Sequence, residues 1–291
     1  MKPAPFAYHR VHSVDEAVAL LAELGDETKI LAGGLSLVPM MNFRLARPAH
    51  LVDIGHLHDR AKLSGLRPDG PALRIGALTT HRMVETCRDP AVLGDYGVLP
   101  RSARWIGHYP IRSRGTFGGS IAHADPASEW CLLAVLLDAQ VGLTGPDGHR
   151  EVPAAEFFQG YYTTVASPDE MITELSFPHP APHAVLTEFA PRQGDFAVVA
   201  AAVTLDVADG VCRSGRVVLG GVGAQPVQVE TGVLAGQPAV PATWQAMGEH
   251  AATQIDPAED THGSGEYRRR LTATLVARAL AEASERHLDR P

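Results

Sequence analysis

Cysteine is scarce in this chain of 291 residues, which contains only Cys87, Cys131 and Cys212. An iron–sulfur cluster needs four cysteine ligands, or two cysteines and two histidines, and three widely separated thiols cannot supply that set. The fourteen histidines are scattered, and the close pairs among them have no acidic third ligand nearby. The sequence therefore predicts reduced cysteines and no metal site of its own.

Positive charge and long apolar runs are also lacking. The formal net charge is -8, which argues against a nucleic-acid partner because such a partner requires a basic face. No apolar run is long enough to span a bilayer, and residues 1–6 contain no hydrophobic signal region. We therefore expect a cytoplasmic protein without a membrane span, long enough for two domains with cores of their own.

Glycine is instead concentrated in two stretches that suit a phosphate group. The first stretch is residues 32–37, Ala-Gly-Gly-Leu-Ser-Leu, and the second is residues 112–126, which contain Gly-Thr-Phe-Gly-Gly-Ser at 115–120. Glycine lets a ligand approach bare backbone, and successive N–H groups in a turn can form a nest for an anion. Either stretch alone could be an ordinary turn. Together they predict a nucleotide diphosphate bound from both sides, without the dinucleotide or P-loop spacing.

Periodicity predicts two α/β units in the first part of the chain. A helix is expected at residues 13–25, where Ser13 can cap the start and Gly25 the end. We place the first unit at residues 1–55 and the second at 56–177. The second unit is expected to contain further elements, namely a helix start at 79–84, a helix at 103–108, a buried helix at 126–137 and a hairpin across 140–152.

The proline-rich connector at 178–182 is the clearest boundary in the chain, so the third unit is residues 178–291. Three strand-like runs in succession, at 185–190, 198–207 and 212–220, predict an antiparallel sheet. The Ala/Leu/Arg-rich segment from 268 to 288 predicts a helix.

Both glycine stretches resemble motifs of the FAD-binding medium subunits of molybdenum hydroxylases, the three-subunit relatives of xanthine dehydrogenase and aerobic carbon monoxide dehydrogenase. Residues 32–39 match Ala-Gly-Gly-x-Ser-Leu-x-Pro, and residues 111–126 match Ile-Arg-x-Arg-Gly-Thr-x-Gly-Gly-x-x-Ala-His-Ala-Asp-Pro. Residues 260–268 match a third pattern, Asp-x-His-Gly-Ser-x-x-Tyr-Arg, and the resemblance covers essentially the whole chain.

The resemblance implies an α+β protein with the p-cresol methylhydroxylase-type FAD-binding fold. Two α/β subdomains would hold the cofactor, and a C-terminal flavoprotein domain would carry a three-stranded antiparallel sheet with helices. The FAD would be non-covalent, and the residues expected to contact it are Lys29, Leu31, Ala32, Gly33, Gly34, Leu35, Ser36, Leu37, Ile106, Ile111, Gly115, Thr116, Gly118, Gly119, Ser120, Asp125, Glu129, Ile172 and Asp195.

Several of these implied contacts have a simpler alternative. Asp125 and Glu129 could accept hydrogen bonds from FAD hydroxyls, or merely complement the dipole at a helix start. Ile106 and Ile111 could pack on the flavin, and Ile172 could line the adenine or ring side, or all three could be ordinary core residues.

The chain departs from the family pattern in one strand. The family tends to have a lysine there, followed a few residues later by Arg-x-x-Asp-Phe/Ile-Ala, and this chain keeps Arg192 and Asp195 but has no lysine in the strand. Some relatives use that lysine near the flavin, so the polar environment of the ring is expected to differ here. Arg192 and Asp195 could alternatively form a structural pair.

No nucleophile–base arrangement is visible, so we assign no catalytic residue. The resemblance implies an oxidoreductase subunit that takes electrons from 2Fe–2S clusters in a small subunit and passes them to an external acceptor. The molybdenum cofactor would belong to a large molybdopterin-binding subunit. A self-sufficient FAD-dependent oxidase is the main alternative, although the segment after residue 178 is short for a substrate-enclosing cap. A flavin-binding scaffold without turnover is a third possibility.

Overall fold

The computed structural model describes residues 2–57 and 63–288, with side chains up to residue 286. Four sheets are present in this part of the chain, and three of them form successive units with their own helices. Within the same residues, no helix is both long and apolar enough to cross a membrane.

The first unit is a small parallel sheet. Its strands are β1 (Ala7–Arg10), β2 (Thr28–Leu31) and β3 (His50–Asp53), in the order β1-β3-β2. Helices α1 (Val14–Leu24) and α2 (Leu37–Asn42) belong to this unit. The predicted first helix is confirmed, because the Ser13 hydroxyl accepts from the Glu16 N–H at 3.1 Å and Gly25 ends α1 with φ 67°.

The second unit is an antiparallel sheet of five strands. They are β4 (Leu66–Asp69), β5 (Ala72–Gly76), β6 (Gln140–Gly145), β7 (Gly148–Pro153) and β10 (Met171–Phe177), in the order β4-β5-β10-β6-β7. A short hairpin, β8 (Phe158–Gly160) and β9 (Thr163–Thr164), stands apart from this sheet. The predicted hairpin across 140–152 is confirmed as β6 and β7.

In the described part of the second unit, seven short helices accompany this sheet. They are α3 (His81–Glu85), α4 (Pro90–Asp95), α5 (Val98–Ser102), α6 (Tyr109–Arg114), α7 (Phe117–His123), α8 (Glu129–Leu136) and α9 (Ala154–Phe157). The helix predicted at 103–108 is wrong, since these residues form turns in which Gly107 has φ 49°. The helix predicted from 126 begins only at Glu129, because a turn closes first between the Asp125 carbonyl and the Ser128 N–H at 2.9 Å.

The third unit is an antiparallel sheet with two helices. Its strands are β11 (Val185–Phe189), β12 (Val199–Ala208), β13 (Val211–Gly220) and β14 (Val227–Val229), in that order, with helices α10 (Pro241–Thr253) and α11 (Gly265–Leu288). The predicted three-stranded sheet is therefore wrong by one strand. Strand β14 has only three residues, too few to show an alternating apolar pattern.

Strand β12 joins the third unit to the second. Its side chains alternate between the two faces of the sheet, as the pleat requires. Ala200 and Ala202 belong to the core that also contains α8, whereas Val199, Ala201 and Val203 pack in the core beneath α10 and α11.

The motif at 260–268 has a structural role in this unit. Arg268 is 5% exposed and donates to the carbonyls of Val198 at 2.5 Å and Gly221 at 2.7 Å. It also donates to Asp260 Oδ2 at 2.7 Å. One guanidinium therefore ties the start of α11 to the open end of the β12–β13 hairpin, where Val198 and Gly221 lie.

Candidate cofactor-binding site

The first glycine stretch connects β2 to α2. Gly34 has φ 76°, a conformation that favours glycine at this position. Among the described residues, the N–H groups of Gly33, Gly34, Leu35 and Ser36 donate no hydrogen bond. Gly33 and Gly34 line a cavity, and Leu35 and Ser36 follow them directly in the chain. Four successive free donors of this kind are suited to an anionic oxygen ligand.

The second glycine stretch is built differently. Thr116 caps α7, and its hydroxyl accepts from the Gly119 N–H at 3.1 Å. The N–H groups of Phe117 and Gly118 donate at 2.8 Å to the carbonyls of Thr79 and Ala77. The predicted N–H nest is therefore wrong for this stretch, because these three donors already have partners inside the chain.

Glycine is required in the second stretch by close packing. A Cβ atom on Gly118 would lie 2.5 Å from the Cβ of Ala77, at the end of β5. A Cβ atom on Gly115 would lie 2.7 Å from Nε2 of His81. The second stretch thus lies directly on the segment that follows β5.

The structure brings the two stretches into direct contact. A Cβ atom on Gly33 would lie 2.2 Å from the carbonyl oxygen of Arg114 and 3.0 Å from Cα of Gly115. Their common cavity has a volume of about 630 Å³ and is lined by Tyr8, Arg10, Leu31, Ala32, Gly33, Gly34, Val38, Asp53, Gly55, His56, Ser64, Leu78, Thr80, Met83, Ser113, Arg114 and Thr116. We call it the glycine cavity.

Two arginines on the wall of the glycine cavity have free charges. Arg10 and Arg114 are exposed, and in the described part of the chain their side chains form no ion pair or hydrogen bond. Both could complement the negative charge of a phosphate. Lys29, an expected contact, is exposed on β2 but does not line the cavity.

Asp53 is a cavity residue that the sequence analysis missed. One of its oxygens accepts from the Gly55 N–H at 2.8 Å, and the other accepts a short hydrogen bond from the Tyr8 hydroxyl. That hydrogen bond raises the pKa of Tyr8 above its usual value. The available signal was the position of Asp53 at the carboxyl end of a parallel strand, where ligands commonly bind.

His81 is a second residue that the sequence analysis missed as part of the site. It is 5% exposed, and its Nδ1 accepts from Trp130 Nε1 at 2.9 Å. Burial, reinforced by the charge of Arg112, lowers the pKa of His81 to about 4, so the ring is neutral at pH 7. The imidazole lies against Gly115 and supports the second stretch from the protein interior.

Ser120 lies in the middle of α7, and Asp125 follows its end. The Ser120 hydroxyl is 2.8 Å from that of Ser128, and Asp125 accepts from the Ala127 N–H at 2.9 Å. The Tyr162 hydroxyl donates to Asp125 at 3.5 Å. Both expected contacts therefore have partners within the chain and retain further acceptor capacity.

Glu129, at the start of α8, and Glu188, on β11, are half-buried residues whose carboxyl groups interact. Burial, followed by the charge of Glu188, raises the pKa of Glu129 to about 8. Burial raises the pKa of Glu188 to about 7, and its Oε2 atom is buried without a hydrogen-bond partner among the described residues. Glu188 was missed, although it stands in the strand from which the family lysine is absent.

The remaining expected contacts are not on the glycine cavity. Ile106 and Ile111 are half-buried beside the turn at Gly107, and Ile172 is 8% exposed in the core of the second unit. Asp195 is exposed in the connection from β11 to β12. Its neighbour Gly194 packs against His108, since a Cβ atom there would lie 2.7 Å from Cε1 of His108.

Arg192 and Asp195 are joined only through the backbone. The Asp195 N–H donates to the Arg192 carbonyl at 3.2 Å. In the described part of the chain their side chains form no ion pair, so the alternative of a structural pair has no support from this geometry.

The architecture and the glycine cavity define a mixed α/β protein with a site for a phosphate-bearing cofactor, and two family models identify that cofactor. Residues 4–180 match the FAD-binding domain in molybdopterin dehydrogenase, and residues 184–283 match the CO dehydrogenase flavoprotein C-terminal domain. The chain belongs to the family of FAD-binding medium subunits of CO dehydrogenase and xanthine dehydrogenase type. The family and the FAD cofactor that the sequence motifs predict are thereby confirmed.

Relatives of similar length support this assignment. The chain is 38% identical to the alpha subunit of the 6-hydroxypseudooxynicotine dehydrogenase complex of Paenarthrobacter nicotinovorans, covering 98% of this chain and 97% of the relative. It is 35% identical to the carbon monoxide dehydrogenase medium chain of Hydrogenophaga pseudoflava, covering 97% and 98%.

Solved structures of related proteins show the same similarity along nearly the whole chain. The carbon monoxide dehydrogenase of Hydrogenophaga pseudoflava that lacks the Mo-pyranopterin moiety matches with a TM-score of 0.92, 35% identity and coverage of 98% and 99%. Quinoline 2-oxidoreductase of Pseudomonas putida 86 matches with a TM-score of 0.92, 33% identity and the same coverage.

Proposed function

We propose that this chain is the electron-transfer subunit of a heterotrimeric molybdenum hydroxylase. It takes electrons from the 2Fe–2S clusters of a small subunit and passes them to an external acceptor. A large molybdopterin-binding subunit oxidises the organic substrate. The observation that carries the proposal is the meeting of the two glycine stretches at one cavity, beside a run of four free backbone donors of which Gly33 and Gly34 line that cavity.

The residues of the glycine cavity fit an FAD diphosphate. A volume of about 630 Å³ lies in the usual range for cofactor sites. The N–H groups of Gly33, Gly34, Leu35 and Ser36 would hold phosphate oxygens, at about 1.5–3 kcal/mol for each hydrogen bond to a charged group. Arg114, which lies within the second stretch, would complement the charge.

The flavin, when bound, supplies the redox chemistry, and the chain supplies binding and orientation. Thr116 fixes the start of α7 through its cap, and His81 supports Gly115 from behind as a neutral imidazole. We infer that Ala32, Leu37, Gly118, Gly119 and the other expected contacts complete the site by close approach of their backbone and side chains.

The same proposal covers the other residues that are expected to contact FAD. Asp125 and Glu129 would accept from cofactor hydroxyls, and Ile106 and Ile111 would bound the flavin ring. Asp195 would approach the flavin ring from the connection beside residues 107–108. Ile172 would support the site from the hydrophobic core.

The unit boundaries are proposed in the same way. The three sheets support division into subdomains at 1–55 and 56–177 and a C-terminal domain at 178–291, of which residues 289–291 lie outside the described part. We assign the first two to the p-cresol methylhydroxylase-type fold, and we place the protein in the cytoplasm.

Isolation of the assembly tests this proposal. A tag on this chain, expressed in its native host, should recover two further subunits together with iron, molybdenum and FAD. The chain purified alone should contain FAD but neither metal. Untagged host extract carried through the same column is the control, and recovery of the chain alone as a yellow monomer would contradict the proposal.

Anaerobic mixing then tests the direction of electron flow. The FAD-loaded chain should lose its yellow colour when mixed with the reduced small subunit, and should keep it with the organic substrate that the whole complex oxidises. Dithionite is the positive control for reducibility. Rapid bleaching of the isolated chain by the organic substrate would favour a self-sufficient oxidase instead.

A further inference from the structure

A second cavity lies between the FAD-binding domain and the C-terminal domain. Its volume is about 500 Å³, and it shares no lining residue with the glycine cavity. One wall comes from α5 and the turn after it, and the other comes from β11 and α11. We call it the interdomain cleft.

The interdomain cleft is lined by an excess of positive charge. Arg101 and Arg104 stand on the wall of the FAD-binding domain, while Arg278 and Arg286 stand on α11. The acidic lining residues are Glu282 and Glu188. This local excess of cations occurs in a chain whose net charge is -8, so it does not follow from the overall composition.

Most of this positive charge is not compensated within the chain. Arg286 pairs with Glu282 at 2.5 Å. Within the residues that the structure describes, the side chains of Arg104 and Arg278 form no ion pair or hydrogen bond. The Glu188 carboxyl is buried, which raises its pKa to about 7 and reduces the negative charge it contributes at neutral pH.

Arg101 shows the electrostatic cost of this arrangement. It donates from Nη2 to the Ala184 carbonyl at 3.1 Å, across the boundary between the two domains. Burial, reinforced by the like charge of Arg286, lowers the pKa of Arg101 to about 10. Cations held together in a partly desolvated cleft gain from an anion that lies between them.

The placement of the arginines constrains the ligand. Arg278, Glu282 and Arg286 are four residues apart along α11, so they follow one helical face over about 12 Å. Guanidinium groups present paired N–H donors that match phosphate oxygens. Trp105 is 42% exposed at the same cleft and offers an aromatic face beside the charges.

We propose that the interdomain cleft binds a small polyanion of the phosphate type, bridging Arg101 and Arg104 of one domain to Arg278 and Arg286 of the other. The concave shape and the volume of about 500 Å³ favour a small molecule over an extended polypeptide. An acidic segment of a partner subunit is the competing occupant. The proposal does not depend on the electron-transfer function.

Calorimetric titration with inorganic pyrophosphate tests the proposal. The FAD-loaded chain is used, so that the glycine cavity is already filled by its own diphosphate. We expect one pyrophosphate per chain, bound at least about tenfold more weakly after Arg104→Gln or Arg278→Gln, as expected for one lost charge-assisted contact. Both arginines are exposed, so neither change should affect folding.

Arg270→Gln is the matched control. Arg270 is an exposed arginine on the same helix, pairs with Glu266 at 3.3 Å and does not line the cleft. Its replacement should leave pyrophosphate affinity unchanged. Glu188→Gln, which removes a carboxyl group from the cleft, should preserve or tighten binding.

Three outcomes would overturn the proposal. The first is absence of pyrophosphate binding to the FAD-loaded chain, and the second is equal binding by the cleft variants and the Arg270→Gln control. The third is that Arg278→Gln leaves pyrophosphate binding unaffected but releases a subunit from the purified complex, which would assign the cleft to an acidic partner segment.

Discussion

Replacement of Gly33 by alanine is the sharpest test of how the two glycine stretches are joined. The added Cβ atom would lie 2.2 Å from the Arg114 carbonyl oxygen and 2.9 Å from its carbonyl carbon. Both neighbours are backbone atoms, so no side chain can rotate away. The two stretches would have to separate by about 1 Å to restore an ordinary contact distance.

That displacement should cost more in cofactor binding than in folding. Overpacking of this kind typically destabilises a protein by about 1–3 kcal/mol. Misplacing two of the four free donors would remove about 3–6 kcal/mol of hydrogen bonding to a charged group. FAD affinity should therefore fall by roughly a hundredfold to ten-thousandfold, at about 1.4 kcal/mol per tenfold.

The assay is titration of the FAD-free protein with FAD, followed by flavin fluorescence, alongside urea unfolding without FAD. Gly232→Ala is the control, because Gly232 is exposed and a Cβ atom there meets nothing within 4 Å. An unchanged FAD affinity in a folded Gly33→Ala protein would refute the reasoning that this contact positions the diphosphate donors.

Three further predictions concern stability, each measured by urea unfolding. Thr116→Val should lower the free energy of unfolding by about 1 kcal/mol, because the α7 cap is lost. Thr116→Ser keeps a hydroxyl at this position and should retain most of that stability. Arg268→Met should cost about 3 kcal/mol or more, because the Val198 and Gly221 carbonyls lose their donor; an unchanged midpoint would count against this role. The folded-state pKa values of Glu129 and Glu188 are raised from 4.5 to about 8 and about 7, so the folded protein retains protons that the unfolded chain releases. The stability that this pair contributes should therefore be fully present below pH 4.5 and be lost as the pH rises to about 8, and Glu129→Gln should reduce that loss.

The features predicted from the sequence were those encoded locally. Helix α1 shows its cap, its period and its terminal glycine within a dozen residues, and the hairpin of β6 and β7 shows its turn. The FAD assignment rested on two motifs that stand in the right order. That the two glycine stretches lie together could be predicted only because both were expected to bind one FAD. No local feature of the sequence indicates it.

The features that were missed depend on distant packing. The N–H of Gly118 is unavailable to a ligand because it donates to Ala77, which lies about forty residues earlier in a different element. Glu188 is covered by elements that are distant in sequence, since β11 packs against α5 and α11, so its sequence neighbourhood gives no sign of a raised pKa. Asp53 reaches the glycine cavity through the pairing of β3 with β2.

The central claim is that the N–H groups of Gly33, Gly34, Leu35 and Ser36 hold the FAD diphosphate, while those of Gly118 and Gly119 do not. Backbone amide NMR of the deuterated chain, recorded without and with FAD, tests it most directly. We expect large shifts and slowed exchange at residues 33–36 on FAD binding, with exchange at 118 and 119 already slow without FAD. Unchanged amides at 33–36 in the FAD-bound protein would contradict it.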